Sequence, residues 1–310
     1  MIKLLELEEK ISNTTAALGR LESAMVTTPH SPSLQANIRS LRKLYDNLEE
    51  DYDSVASELG LDVCRYRVLQ DHPSGKALAR CLGAFLDAFS LAYEVATHGR
   101  RDRRILSAET VASTDLRVAY TFPGSFGVVL TVPNERLLGD WATKLDEAMR
   151  TVFSVTRADS SDAVASFASK IGRSPIAGVY NWAKANAESK TGANVEWSRN
   201  AEIKEVILFQ YQQFDTLVGH IDRTGKETTS ELEIRGTLVG ADITSRRFHF
   251  VTETDDDIRG RFLDAISDSQ HAELPAKYTA RVTKTTKIIY STEQEEVSYF
   301  LNQLAPFPIA

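Results

Sequence analysis

Residues 31–60 read SPSLQANIRSLRKLYDNLEEDYDSVASELG, and every third or fourth position of this stretch is apolar. This spacing is typical of one helix face, and of the a and d positions of a heptad. The stripe consists of Leu34, Ile38, Leu41, Tyr45, Leu48, Tyr52, Val55 and Leu59. Ser31 suits the N-cap and Pro32 suits the first helical position. The stretch therefore predicts one long amphipathic helix.

An earlier stripe with the same spacing predicts a second helix before it. Its members are Leu4, Leu7, Ile11, Thr14, Leu18, Leu21 and Met25. The polar segment 27–33 contains two prolines and separates the stripes, so we predict an antiparallel, coiled-coil-like helical hairpin over residues 1–60. Two facing stripes leave such a hairpin half covered. The remaining cover comes either from a second copy of the chain, with the eight residues of the 34–59 stripe as the interface, or from the chain's own body.

The middle of the chain alternates between the two periodicities and predicts a central α+β domain over residues 61–223. We expect a strand over 62–69, a helix over about 76–97, and a β-hairpin at 116–122 and 126–132. Helices follow at roughly 135–157, 160–171 and 174–190, and a further long helix spans about 200–223.

Residues 224–310 change to strand-like alternation. About five short apolar segments separated by turns predict a small SH3-like or OB-like β-barrel, because closure removes exposed sheet edges. Thr292 and Glu295 have the spacing of a capping box, which predicts a last helix. The residues expected to face inward are Val297, Phe300, Leu301 and Leu304. The predicted fold class is α+β in three modules: 1–60, 61–223 and 224–310.

Composition excludes several classes of protein. The 310 residues include 36 basic and 43 acidic side chains, a net charge of −7, so the chain as a whole does not attract nucleic acid. No apolar run is long enough to span a membrane, and the N-terminus does not read as a signal peptide. With only two cysteines, Cys64 and Cys81, a disulfide framework is excluded and we expect a cytoplasmic protein.

No catalytic motif is present. The sequence contains no phosphate-binding loop, no dinucleotide fingerprint and no zinc-protease motif. The acidic cluster Glu253 to Asp257 does not have the spacing of a calcium loop and is typical of a solvated hairpin tip. We therefore predict no catalytic residue, no cofactor and no metal ligand.

Two basic clusters are candidate binding surfaces. The first lies on turns and outward positions of the predicted barrel, beside aromatic residues, as in oligonucleotide-binding barrels. It consists of Arg246, Arg247, His249, Arg259, Arg261, Lys277 and Arg281. The second is the run 98–104, with Arg100, Arg101, Arg103 and Arg104. This run is either a solvated loop or a contact for phosphate or an acidic partner. Ordinary solvated side chains are the alternative for the first cluster.

Segments 122–127, 236–240 and 246–250 resemble segments of uncharacterised bacterial proteins, some of which belong to phage-defence or mobile gene sets. The resemblance implies a bacterial, antiviral context and no catalytic residue.

Three functions follow as hypotheses. The first is a non-catalytic, oligomerising adaptor or sensor that binds itself through the hairpin, and binds a protein partner or ligand through the central domain or barrel. The second is a nucleic-acid-binding module that uses the basic face of the barrel. The third is an enzyme, such as a metal-dependent hydrolase or nuclease, whose site is not visible in the sequence.

Overall fold

A computed structural model describes residues 2–70, 73–122, 126–134, 141–262, 273–290 and 295–306. The chain divides into two units, Met1–Arg223 and Thr224–Ala310. The first combines helices with an antiparallel sheet and the second is a closed five-stranded barrel, so the α+β class is confirmed. Within the described residues, no helix is long and apolar enough to cross a membrane.

The first unit is built on a five-stranded sheet with the order β2-β3-β1-β4-β5. Its strands are β1 (Leu61–Leu69), β2 (Arg117–Phe122), β3 (Gly127–Pro133), β4 (Gly192–Arg199) and β5 (Glu202–Phe209). The hairpin helices are α1 (Ile2–Thr27) and α2 (Pro32–Glu58). The other helices are α3 (Gly75–His98), α4 (Ala108–Ser113), α5 (Lys144–Thr156), α6 (Ser161–Ile171), α7 (Arg173–Ser189) and α8 (Tyr211–Arg223).

The apolar stripe of α2 is covered largely by the chain itself. Ile38, Tyr45, Tyr52 and Val55 are buried in one cluster with apolar residues of α1, β1, β2 and β3. Leu34, Leu41 and Leu48 are half-buried, whereas Leu59 is 45% exposed. Of the two alternatives for the cover, docking onto the chain's own body is therefore present. Self-association through the same stripe stays a prediction.

Polar contacts fix the orientation of the hairpin on the sheet. Arg65 of β1 donates to both carboxylate oxygens of Asp53 in α2, at 2.8 and 2.9 Å. The hydroxyls of Tyr45 and Tyr120 both donate to Glu49, at 3.0 and 3.2 Å. Hydrogen bonds between an arginine and a carboxylate are charge-assisted and stronger than those between neutral groups. Because these contacts join α2 to β1 and β2, the helix has one preferred position over the sheet.

The second unit is a closed barrel with the order β10-β8-β7-β6-β9. Its strands are β6 (Gly225–Asp242), β7 (Arg247–Thr252), β8 (Asp257–Phe262), β9 (Ala276–Ile289) and β10 (Glu295–Pro306). Its core is an apolar cluster that includes Leu238, Phe250, Ala280, Val282 and Leu301. All neighbouring strands are antiparallel except β8 and β10, which are parallel. The predicted small barrel is confirmed.

The predicted last helix is wrong, because Glu295–Pro306 is the strand β10. Thr292 lies outside the described residues, so the capping box predicted from it is not described. In β10, Leu301 and Leu304 are buried, on either side of a register shift between Leu301 and Gln303. The predicted helix also places Val297 and Phe300 inward, and this is wrong, because they are 43% and 38% exposed in the strand. The pairing of β10 with β9 and β8 decides that this segment is a strand.

The predicted helix over 200–223 is wrong in its first half. Residues Glu202–Phe209 form β5, and the helix α8 begins at Tyr211. The β-branched residues Ile203, Val206 and Ile207 favour a strand, and β4, which the sequence analysis did not predict, supplies the partner. Of the helix predicted over 135–157, the residues 135–140 lie outside the described part, 141–143 are not helical, and α5 spans Lys144–Thr156.

The packing of α2 yields a stability prediction. We expect Tyr52→Ala to lower the free energy of unfolding of the first unit by about 3–5 kcal/mol, because a fully buried aromatic ring leaves a cavity. Leu59→Ala on the same stripe is the matched control and is expected to cost less than about 1 kcal/mol. Urea denaturation monitored by circular dichroism measures both. Equal, small effects would contradict the packing of the hairpin on the sheet.

Candidate nucleic-acid interface

Four of the predicted basic residues share the outer face of the barrel. Arg247 of β7 lies directly opposite Arg261 of β8, and His249 lies opposite Arg259. Partners in register point to the same side of a sheet. Their neighbours along the strands, Phe248, Phe250, Ile258 and Phe262, are buried in the core. The four basic side chains therefore point outward together.

These four residues line one cavity of about 940 Å³. We call it the barrel cavity; β6, β7, β8 and β10 contribute to it. Its other lining residues include Asp242, Tyr299 and Phe300. Phe300 pairs with Arg261 across the parallel strands and is 38% exposed. Two guanidinium groups and an aromatic side chain therefore occupy one transverse row of three neighbouring strands.

A glycine makes this arrangement possible. A Cβ atom at Gly260 would lie 2.2 Å from the carbonyl oxygen of Tyr299 and 2.7 Å from the ring of Phe248. Any larger residue would therefore force β8 and β10 apart. The absence of a side chain at this position lets β10 close the barrel and brings Phe300 to the edge of the cavity.

The positive charge of the barrel cavity is only partly compensated. Asp257 accepts from Arg259 at 3.1 Å, and this contact holds the pKa of Asp257 below its usual range. Asp242 lies opposite Arg247, and its pKa is lowered chiefly by the Ser245 hydroxyl and neighbouring backbone N–H groups, with a smaller contribution from Arg247. Among the residues that the structure describes, no carboxylate lies within ion-pair distance of Arg261.

The remaining three residues of the predicted basic face do not line the barrel cavity. Arg246 occupies the turn between β6 and β7 with φ of 55°, and its carbonyl oxygen accepts from the N–H of Phe262. Lys277 lies opposite Thr237, and Arg281 lies opposite Glu233, with 4.0 Å between their charged groups. Lys277 and Arg281 therefore belong to β9 and to another part of the barrel.

The basic run 98–104 is largely engaged within the first unit. Arg100 donates to the carbonyl oxygen of Ser169 at 3.1 Å, and Arg101 lies 3.5 Å from the carboxylate of Glu94. The guanidinium of Arg104 faces the side-chain amide of Asn181, and Arg103 is exposed. Of the two interpretations, this geometry favours a surface loop with structural contacts.

Glu94 organises this loop. Its carboxylate accepts from the N–H and the hydroxyl of Ser107, at 3.0 and 2.9 Å, and from the hydroxyl of Thr110 at 2.6 Å. Burial opposes its ionisation, but these hydrogen bonds outweigh burial and lower the pKa of Glu94 to about 2. The carboxylate is therefore ionised at neutral pH and ties the loop to α3.

A buried polar cluster that the sequence analysis missed lies where β1, β4 and α5 meet. The Arg199 guanidinium lies 2.5 Å from the carboxylate of Asp146, which also accepts from the indole of Trp197 at 3.0 Å. Asn134 donates to the nearby Asp62, whose pKa is raised to about 7 by burial above all, and further by the charge of Asp146. Thr143 and Asp146 form a capping box on α5, and their spacing is the signal available in the sequence.

Asp62, Asp146 and Arg199 of this cluster are buried, and the contacts of the cluster join α5 to the sheet, which is a structural role.

The acidic residues Glu253 to Asp257 form the tip of the β7–β8 hairpin. The Asp256 carboxylate accepts from the Thr254 hydroxyl at 2.8 Å, and the Asp256 N–H donates to the Thr252 hydroxyl at 2.9 Å. Over the described residues, no group of three or more histidine, cysteine or acidic side chains is arranged to hold a metal ion. Turn geometry accounts for this cluster.

Comparisons with protein-family models, with curated proteins and with solved structures find no match to this chain. The case for function therefore rests on the geometry of the barrel cavity.

The buried Asp62 yields a prediction on pH. Because the pKa of Asp62 in the folded protein is about 7, against 3.8 in the unfolded chain, the folded state binds the proton more tightly. The bound proton of Asp62 therefore contributes fully to stability below about pH 4, and this contribution is lost as the pH rises to about 7. Asp62→Asn keeps an acceptor for Asn134 and cannot ionise. We expect the stability of this variant relative to wild type to rise by about 2–4 kcal/mol between pH 4 and 8.

Chemical denaturation at several pH values measures this difference. The exposed Asp115→Asn variant is the control and is expected to follow the wild-type profile. If the pH profile of stability for Asp62→Asn runs parallel to that of wild type, Asp62 ionises freely in the folded protein and the prediction is wrong.

Proposed function

We propose that this protein is a non-catalytic nucleic-acid-binding protein whose barrel cavity holds a single strand by its phosphate backbone and by one stacked base. The direct opposition of Arg247 and Arg261 carries the proposal.

Two arginines in register repel each other. Like charges directly opposite on neighbouring strands destabilise a sheet. A phosphate placed between them removes the repulsion, and each guanidinium can present two N–H donors to its oxygens. The pair of arginines is therefore more stable with a phosphodiester bound between them than in the empty barrel.

Phe300 favours a single strand over a duplex. Aromatic side chains bind unpaired bases by stacking, whereas the bases of a duplex are already stacked and paired. The ring pairs in register with Arg261 and lines a concave surface. Readers of duplex grooves instead present a protruding helix or ribbon. A single strand of nucleic acid thus fits with one base stacked on Phe300 and the phosphate of that nucleotide at Arg261.

The order of the strands supports an OB-like barrel. The first strand, β6, pairs with the second and fourth strands, and the third strand, β8, runs parallel to the fifth, β10. OB barrels are five-stranded Greek-key barrels that bind oligonucleotides on the face of their second and third strands. Here those strands are β7 and β8, which carry all four basic residues of the barrel cavity.

An adaptor function is the second candidate, and the edge strand β5 favours it. Ile203, Val206 and Leu208 of β5 are exposed, and β5 ends the sheet of the first unit. Exposed apolar side chains on an edge strand are typical of a protein contact. Self-assembly through the hairpin and a role in phage defence remain hypotheses attached to this candidate.

Charge reversal tests the nucleic-acid function. We expect Arg261→Glu to weaken binding of a fluorescent oligothymidylate at least ten-fold, and to reduce the salt dependence of log K by about 0.7 per lost phosphate contact. Lys277→Glu makes the same charge change on the same barrel outside the cavity, and we expect a change of less than about three-fold. Fluorescence anisotropy over a salt series measures both. Equal losses in the two variants would assign binding to the general charge of the barrel, and wild-type protein that binds no oligonucleotide at low salt would falsify the proposal.

A substitution at Phe300 tests the stacking separately. We expect Phe300→Ala to weaken binding of single strands about ten-fold, while Phe300→Trp retains it. The salt dependence of binding should stay unchanged, because no phosphate contact is lost. Competition with a duplex of the same length completes the test, and a duplex that competes as well as the single strand contradicts the stacking.

A further inference from the structure

We infer that ligand binding in the barrel cavity is coupled to protonation of His249, so that affinity rises as the pH falls. This inference rests on the proposed function, because it concerns the same cavity and an anionic ligand. It adds a regulatory input that the arginines, which stay charged at all physiological pH values, do not provide.

His249 lies inside the cavity in an unusual position. Its side chain is 33% exposed, but its Nε2 atom is buried and lies 2.7 Å from Oδ1 of Asp257. This contact is one of the interactions that lower the pKa of Asp257. It becomes an ion pair when the imidazole is protonated, which strengthens the attraction between the two groups.

The surrounding charges oppose one another. Arg247 on the same strand and Arg259 and Arg261 on β8 disfavour a charged imidazole, whereas Asp257 on β8 and Asp242 on β6 favour it. Among the described residues that line the cavity, β10 contributes one titratable group, Tyr299, and no charged residue. An incoming phosphate adds negative charge beside the ring and shifts the balance towards the imidazolium.

Protonation also changes what Arg259 can do. In the free protein, Arg259 donates to both carboxylate oxygens of Asp257, at 3.4 and 3.1 Å, and His249 lies beside the first of them. Once His249 is charged, it competes with Arg259 for this carboxylate. The Arg259 side chain, 71% exposed, is then available to a second phosphate of the ligand. A single proton thus alters two of the four basic groups in the cavity.

Because of thermodynamic linkage, the coupling can be measured as the proton uptake that accompanies ligand binding. If binding favours the charged imidazole, the complex takes up as much as one proton, and affinity changes by at most ten-fold per pH unit. Among side chains, histidine is the one that most often changes charge between about pH 5 and 8, so the measurements cover that range.

The experiment measures oligothymidylate affinity between about pH 5.5 and 8 at constant ionic strength. Calorimetry in buffers of different ionisation enthalpy counts the protons taken up. For wild type we expect affinity to increase several-fold towards low pH, with net proton uptake on binding. For His249→Gln, which keeps a polar side chain that cannot titrate, we expect a flat profile and no uptake.

Asp257→Asn is the second variant and leaves His249 intact. We expect its affinity at pH 8 to rise towards the wild-type value at low pH, because Arg259 is already released. A flat wild-type profile, or a pH dependence that persists in His249→Gln, overturns the inference and leaves the proposed function standing. Absence of oligonucleotide binding at every pH and at low salt overturns the proposed function itself.

Discussion

The parallel pairing of β8 with β10 is the constraint on which the candidate site depends. It closes the barrel, and it is possible only because Gly260 leaves room for the carbonyl oxygen of Tyr299. The same pairing sets Phe300 beside Arg261, which itself lies opposite Arg247. Closure and the position of the aromatic ring beside the arginines are thus consequences of this one pairing, whereas the pair of arginines comes from the β7–β8 hairpin.

The charged residues of the two units differ in how fully they are paired, and this difference supports a binding function for the barrel. In the first unit, Arg65 and Arg199 pair with carboxylates and join helices to the sheet, and Glu94 accepts hydrogen bonds that tie a loop to α3. Of the described residues that line the barrel cavity, three arginines and a histidine are basic and Asp242 is acidic, and Asp257 lies beside His249 and Arg259. Charges that satisfy one another stabilise a fold, whereas uncompensated charges in a concave surface suit a ligand of opposite sign.

Errors in the predicted elements have one physical origin. Residues 202–209 and 295–306 carry apolar side chains at spacings that suit both a helix and an irregular strand. Each became a strand because a neighbouring strand offered backbone hydrogen bonds, β4 in one case and β9 in the other. Register shifts in both pairings disturb the simple alternation by which strands are recognised. Local propensity is a weak guide when long-range pairing decides the outcome.

By itself, the sequence determined the features that depend on local periodicity. These are the helical hairpin, the existence of a small barrel and the outward direction of Arg247, His249, Arg259 and Arg261, because alternation along a strand separates core from surface. Tertiary structure alone decided which surface covers the apolar stripe of α2 and that Asp62 is buried beside Asp146. It also decided that Lys277 and Arg281 lie away from the barrel cavity. Each of these depends on which distant segment becomes the neighbour, and residue spacing within one segment carries no information about that choice.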